Sequence, residues 1–175
     1  MAISKCLLVA LVVVIFATIF QVIALAAPYW FNLDLSIAKV YAGLWWTCTE
    51  TVSTGLTSCD KTVDYLFTNG SSTDWLKAVQ AMSILGFLTL LVASVMTILK
   101  LFVLKDNKPV LLVAIGTSFT GAVFILIAIA VYADEINDLY SAFDFNYHFA
   151  FAFSIIAMIA AIGAGVAMLV EMITG

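Results

Sequence analysis

The sequence predicts an all-α membrane protein with a small β part, a bundle of four transmembrane helices capped by an antiparallel β-sheet. Three observations predict it. The 175-residue chain is 65% hydrophobic with a mean hydropathy of +1.17, whereas soluble domains are about 45–50% apolar. Four stretches reach the roughly 20 apolar residues that a spanning helix needs. Between the first two stretches the composition turns to β-formers, turn residues and a pair of cysteines.

The first apolar stretch runs from about residue 6 to 27, with Gln21 its strongly polar member. Lys5, the apolar run and Ala24-Leu25-Ala26 imitate a cleavable signal peptide. A signal's apolar region is about 7–15 residues, however, so the longer run here is expected to stay as a helix. The second stretch, about 76–104, is longer than a bilayer requires and must tilt or stand clear of it. The third, about 110–133, opens at Pro109, a residue suited to a helix N-terminus. The fourth runs from about 149 to 173. The length suits one membrane domain over residues 1–175, with outer loops at about 28–75 and 134–148.

Charge sets the orientation. Lys5, Lys100, Lys105 and Lys108 flank the first stretch and the second connection, and lysine in short loops stays cytoplasmic. Both termini are therefore expected inside. The first and third connections lie outside, in a multi-pass protein of the plasma membrane. There, nine acids (Asp34, Glu50, Asp60, Asp64, Asp74, Asp134, Glu135, Asp138 and Asp144) face three lysines (Lys39, Lys61 and Lys77), a balance of −6. With no Arg and one His in the chain, nucleic-acid binding is excluded as a function class. No metal or cofactor is expected.

In the first outer loop, Val40, Tyr41, Leu44, Trp45, Trp46, Val52, Val63, Tyr65 and Phe67 favour strands, and Gly55 and Asn69-Gly70 mark turns. Cys48 and Cys59 should fall on neighbouring strands. The outside is oxidising, and with no His nearby a disulfide is a better reading than a metal pair or free thiols. Its ring would add about 3 kcal/mol on the chain-entropy model, useful to a sheet with little core of its own. Asn69-Gly70-Ser71 is an N-glycosylation sequon, used or unused. In the third connection, Phe143, Phe145, Tyr147, Phe149, Phe151 and Phe153 alternate with Asp144, Asn146, His148, Ala150 and Ala152. That period of two predicts a strand over about 143–147, whose aromatics could touch a partner. From Phe149 onward the aromatics read as a belt at the headgroups.

Chemistry is sparse. The acids have no nucleophile, phosphate loop or metal-spaced set beside them, and His148 has no catalytic partner within motif distance. Asp134, Glu135 and Asp138 match no calcium loop. Intramembrane charge, the mark of transport, is missing. Gln21, Gln80, Thr89, Ser94 and Thr97 can bond between helices. Ala157, Ala161 and Gly165, and similarly Gly116, Thr120 and Gly121, form small faces for close packing within the bundle or between protomers. Cys6 can be palmitoylated or stay a buried thiol. No catalytic residue is expected, and the chain reads as a non-enzyme.

Trp30, then Gly43-Leu44-Trp45, then Cys48 and Cys59 resemble the W…GLW…C…C signature of the claudin superfamily, and the four spans extend that resemblance over the whole chain. Asp74-Trp75-Leu76-Lys77-Ala78-Val79-Gln80-Ala81 is similar to the peripheral myelin protein and epithelial membrane protein branch. Claudins proper usually carry Arg where this chain has Gln80, and usually end in a PDZ-binding tail. Met172-Ile173-Thr174-Gly175 offers no such tail, so no PDZ scaffold is expected. The resemblance implies a left-handed bundle capped by an extracellular sheet, with a strand from the second outer loop added to it. In pore-forming claudins an acid beside the second Cys can set cation selectivity, and Asp60 matches that position. Two functions follow as expectations. One is cell–cell adhesion, junction or membrane organisation by self-association in cis and in trans, as barrier or cation path. The other is an auxiliary subunit of a channel or receptor.

Overall fold

The computed structural model describes residues 5–68, 72–104, 107–141 and 143–174. Four helices are long and apolar enough to cross a membrane: α1 (Lys5–Ala26), α3 (Asp74–Phe102), α4 (Lys108–Leu139) and α5 (Phe149–Thr174). Between α1 and α3 come β1 (Phe31–Asp34), β2 (Ala38–Ala42), β3 (Trp46–Thr51), β4 (Thr57–Lys61) and the short helix α2 (Thr62–Thr68). Strand β5 (Phe145–Tyr147) lies between α4 and α5. This is a multi-pass membrane protein.

Heptad spacing builds the bundle. Along α1 the buried positions include Leu7, Ala10, Val14, Ala17, Gln21 and Ala24. Along α5 they include Ala150, Ser154, Ala157, Ala161, Ala164 and Met168. Steps of three and four alternate on both helices, and a 3.5-residue repeat winds helices into a left-handed bundle. Each helix packs mainly on two neighbours, in the ring α1–α3–α4–α5. Outside this seam the helices show Leu, Ile, Val and Phe to lipid.

Small residues let the helices close up. Ala157 and Ala161 are buried, and a Cβ on Gly165 would stand 3.0 Å from the Phe119 ring of α4. A Cβ on Gly121 would stand 2.9 Å from Thr89 Oγ1 of α3. These faces therefore pack within the bundle, whereas Gly116 and Thr120 point outward. Hydroxyls tie the same seams: Ser118 Oγ donates to Ala161 O at 2.8 Å, Thr97 Oγ1 to Met168 Sδ at 3.3 Å, and Thr18 and Ser94 pair at 3.1 Å. Cys6 Sγ, half-buried, donates to Ala167 O at 3.3 Å.

The five strands form one antiparallel sheet in the order β4-β3-β2-β1-β5. Phe31, Leu33, Val40, Ala42 and Thr47 turn one face inward. Beneath it lie Leu66, Trp75, Tyr132, Ile136 and Tyr140, which with Phe31, Ala42 and Thr47 line a small apolar cavity.

Three elements differ from the sequence reading. Val63, Tyr65 and Phe67, read as strand residues, lie in α2. Val63 and Leu66 pack inward at helical spacing, and Asp64 in the first turn suits the helix dipole. The third connection does not open at residue 134, because α4 continues to Leu139. Its 32 residues span about 48 Å at 1.5 Å each, well past the roughly 30 Å hydrocarbon core. The reason is a continued apolar stripe, Tyr132, Ile136 and Tyr140 at four-residue steps, which supports the sheet. Strand β5 begins at Phe145, not Phe143. The chain turns before it, with Phe143 N donating to Tyr140 O at 2.9 Å.

If the α4 extension is what supports the sheet, Ile136→Ala should lower stability by about 2–5 kcal/mol, and Asp138→Asn, on the exposed side, by less than about 0.5. Thermal unfolding in mild detergent checks this; equal effects would remove the support role from the extension.

Candidate functional site

The last carbonyls of a helix have no partner inside it. Pro28 stops α1, and beyond Ala26 the chain leaves a bilayer-length helix with its end carbonyls exposed to an apolar setting. Donors reach three of them. Ala27 N donates to Ile23 O at 2.9 Å, Trp30 Nε1 to Ala24 O at 2.7 Å and Trp45 Nε1 to Leu25 O at 2.7 Å. An indole N–H donates only, so tryptophan brings a large apolar ring and one directed proton together. A buried carbonyl left unmatched costs about 1–3 kcal/mol.

Trp30 is the centre of this junction. Its backbone N donates to Ala42 O at 2.8 Å, and its O accepts from His148 N at 2.9 Å. Its fully buried ring meets Tyr132 edge-on at 4.7 Å and Phe151 at 5.7 Å. One residue thus joins α1, β2, α4, α5 and the β5–α5 turn.

The Gly43-Leu44-Trp45 turn is seated on the same helix end. A Cβ at Gly43 would lie 2.5 Å from Pro28 Cα and 2.6 Å from Ala27 O, so only glycine lets these backbones approach. Leu44 is wholly buried. Every carbonyl here has a donor, as buried backbone requires. Gly43 O accepts from Thr62 Oγ1 at 3.1 Å and Leu44 O from Gln80 Nε2 at 2.6 Å. Trp45 O accepts from Thr62 N at 2.9 Å, and Trp46 O from Gly43 N at 2.9 Å. Thr47 Oγ1 adds a 3.1 Å bond to Thr62 Oγ1. Thr62 was missed in the sequence. The available signal was a threonine opening a helical spacing, with Asp64 in the first turn.

Cys48 and Cys59 face each other in the β3–β4 register and are joined as a disulfide. The adjacent pairs are Thr47 with Asp60 and Trp46 with Lys61. Strand β4 is a free edge, exposed throughout, so Asp60 stands in solvent beside the disulfide. Gly55, at φ 66°, makes the tight turn between β3 and β4.

At the other edge, β5 pairs with β1. Phe145 is half-buried against Phe31, whereas Phe143 and Tyr147 are exposed. Tyr147 also stacks on Phe151 at 4.4 Å. These three aromatics therefore do not form one uniform contact face. Burial, and then the neighbouring Tyr65, pushes the Tyr140 phenol above its ordinary range and keeps it neutral under the sheet. Asn69 lies outside the described residues.

Residues 4–173 of the chain match one family model, that of the PMP-22/EMP/MP20/Claudin family. The chain belongs to this family. No curated protein matches it at a significant level. In this chain Trp30, Trp45 and Gly43 have a physical role: they cap carbonyls at the end of α1 and bind the sheet to it.

Trp30→Phe keeps the ring and deletes the donor, so it should lower stability by about 1–3 kcal/mol, while Trp46→Phe, which has an exposed ring, should be nearly neutral. A Trp30→Phe protein as stable as the parent would refute the cap. Cys48→Ser and Cys59→Ser should each cost about 2–5 kcal/mol and impair surface delivery, read by surface biotinylation; normal delivery of both would refute the staple.

Proposed function

We propose that this chain is a non-enzymatic organiser of membrane contacts that associates with copies of itself, laterally through its helices and across facing membranes through its sheet. The observation that carries this reading is the sheet's far tip. Ile37, Leu56 and Val52 are 76%, 71% and 55% exposed, and Val52 N bonds Ile37 O at 3.0 Å, which holds the two loops together. The opposite end of β2, at Gly43, is the one seated on α1. Single exposed apolar residues are ordinary, but a cluster on a rigid sheet marks an interaction surface.

The orientation follows the lysines. Lys5, Lys100 and Lys108 sit at the bundle end away from the sheet, which suits a cytoplasmic end, and the disulfide suits an oxidising exterior. The whole of residues 1–175 then forms one membrane domain at the plasma membrane. Gln80, reaching Leu44 O, and the Asp74–Ala81 segment favour the peripheral myelin protein and epithelial membrane protein branch over claudins proper. Exposed Asp60, rigid beside the disulfide, would favour cations wherever copies enclose a path.

A second reading, an auxiliary subunit of a channel or receptor, is favoured by Gly116 and Gly163. Nothing lies within 4 Å of a Cβ built at either, so both offer close approach to another helix in the bilayer.

Non-adherent cells expressing the chain should aggregate, and Ile37→Asp with Leu56→Asp should abolish aggregation at unchanged surface level. No aggregation by the parent chain, together with stoichiometric recovery of an unrelated membrane protein in mild detergent, would replace self-association with the auxiliary role. Asp60→Asn should lower cation preference across an expressing cell layer; unchanged permeability ratios would remove Asp60 from that role.

A further inference from the structure

Below the Trp30 junction the Gln21 side chain of α1 bridges the Ser83 backbone of α3 and the Ser154 hydroxyl of α5. Gln21 of α1, Ser83 of α3 and Ser154 of α5 are all 0% exposed. Gln21 Nε2 donates to Ser83 O at 3.4 Å, and Ser154 Oγ donates to Gln21 Oε1 at 3.3 Å. Both bonds are long for hydrogen bonds. Ser83 Oγ, fully buried, has no hydrogen-bond partner among the described residues.

That hydroxyl behaves unlike its neighbours. Thr18, Thr89, Ser94, Thr97 and Thr117 each donate to the carbonyl four residues back. Ser118 donates across to α5. Ser83 makes neither bond. The Gln21 amide meanwhile has two N–H donors and an oxygen with two lone pairs, and the two long bonds leave part of that capacity unused. An unmatched hydroxyl inside a membrane bundle is costly, because no solvent can relieve it.

We propose that this junction is an internal binding site for one water molecule, held by Ser83 Oγ, the Gln21 amide and Ser154 Oγ. A buried water needs two to four polar partners; Gln21 contacts the Ser83 backbone and the Ser154 hydroxyl, and Ser83 Oγ, one side chain away from the first contact, is the donor left over. The water accepts from the Ser83 hydroxyl and donates to Gln21 Oε1, which fixes the rotation of α1 against α3 and α5. Gln21 lies one turn below Ala24, the residue capped by Trp30, so the site sets the helix end on which the sheet is seated.

The test uses the full chain in detergent micelles with ¹⁵N-labelled glutamine. Gln21 and Gln80 are the two glutamines of the sequence, and Gln80→Arg, which keeps an N–H donor for Leu44 O, assigns their side-chain amide signals. The Gln21 amide protons should show magnetisation transfer with water despite their burial. Ser83→Ala should abolish that transfer and lower Tm by about 2–6 °C, with the Gln80 signal unmoved as proof that the fold is intact. A wild-type Gln21 amide without water contact overturns the site. So does a Ser83→Ala protein whose Tm is unchanged or higher, since removal of a truly unmatched hydroxyl stabilises.

Discussion

The arrangement depends on how the C-terminal end of α1 is completed. A membrane helix that ends against protein rather than open water must find donors for its last carbonyls. Glycine at a C-cap is the common solution in soluble helices, but α1 ends in Ala26-Ala27-Pro28. The donors come instead from indoles four and nineteen residues beyond Ala26 in the chain, Trp30 and Trp45. Because those indoles belong to the sheet-bearing segment, satisfying the helix end and docking the sheet are a single event. The sheet cannot lift from the bundle without leaving two carbonyls unmatched and a fully buried tryptophan ring exposed.

From that junction the remaining features follow in order. Gly43 has no side chain because its backbone lies against Pro28. Thr62 and Gln80 supply the donors that the Gly43–Trp46 turn cannot find within itself. The β3–β4 hairpin forms the edge of the sheet opposite β5, and it is the one closed by the disulfide. The other side rests on α4, which keeps its helix beyond bilayer length so that Tyr132, Ile136 and Tyr140 form a floor. β5 then returns the chain to α5 through His148, whose N–H meets the carbonyl of Trp30. The four long helices therefore reach the sheet-bearing segment through a small number of named hydrogen bonds and, for α4, ring and apolar contacts.

Much of this was legible in the sequence, and the part that was not has a common physical cause. The four spans were readable because lipid demands long apolar runs. The disulfide was readable because two cysteines in one loop, with no histidine nearby, leave few options. The family signature pointed to Trp30, Gly43, Leu44 and Trp45 without saying what they do. Their role depends on which carbonyls are left over at α1, and that is a tertiary fact. Strand propensity misled at Val63, Tyr65 and Phe67, which lie in α2, a helix whose Val63 and Leu66 pack inward at helical spacing. The end of α4 was misplaced because Asp134, Glu135 and Asp138 look like a loop. Their helix stays formed because its opposite face is the floor of the sheet. Propensity and hydropathy describe what a segment prefers alone, and these two misreadings, like the misplaced start of β5, occur where the sheet and helices meet.

The same economy bears on how the outer surface can work. A five-stranded sheet of short strands has little core of its own, and an isolated one would shift its loops freely. Here its inner face is filled by helix side chains, its far hairpin is stapled and its near turn is locked to α1. The loops at Ile37, Val52 and Leu56 are therefore carried at a set height and angle relative to the bilayer, and the helices decide that angle. Lateral packing of helices, which small outward residues such as Gly116 and Gly163 allow, would then align the tips of neighbouring copies without any contact between the sheets themselves. Under the proposed self-association, an array ordered in the membrane plane would present its weak apolar tips together, so that many modest contacts would act at one effective concentration. The membrane-embedded seams would then contribute to holding two facing surfaces along with the exposed loops.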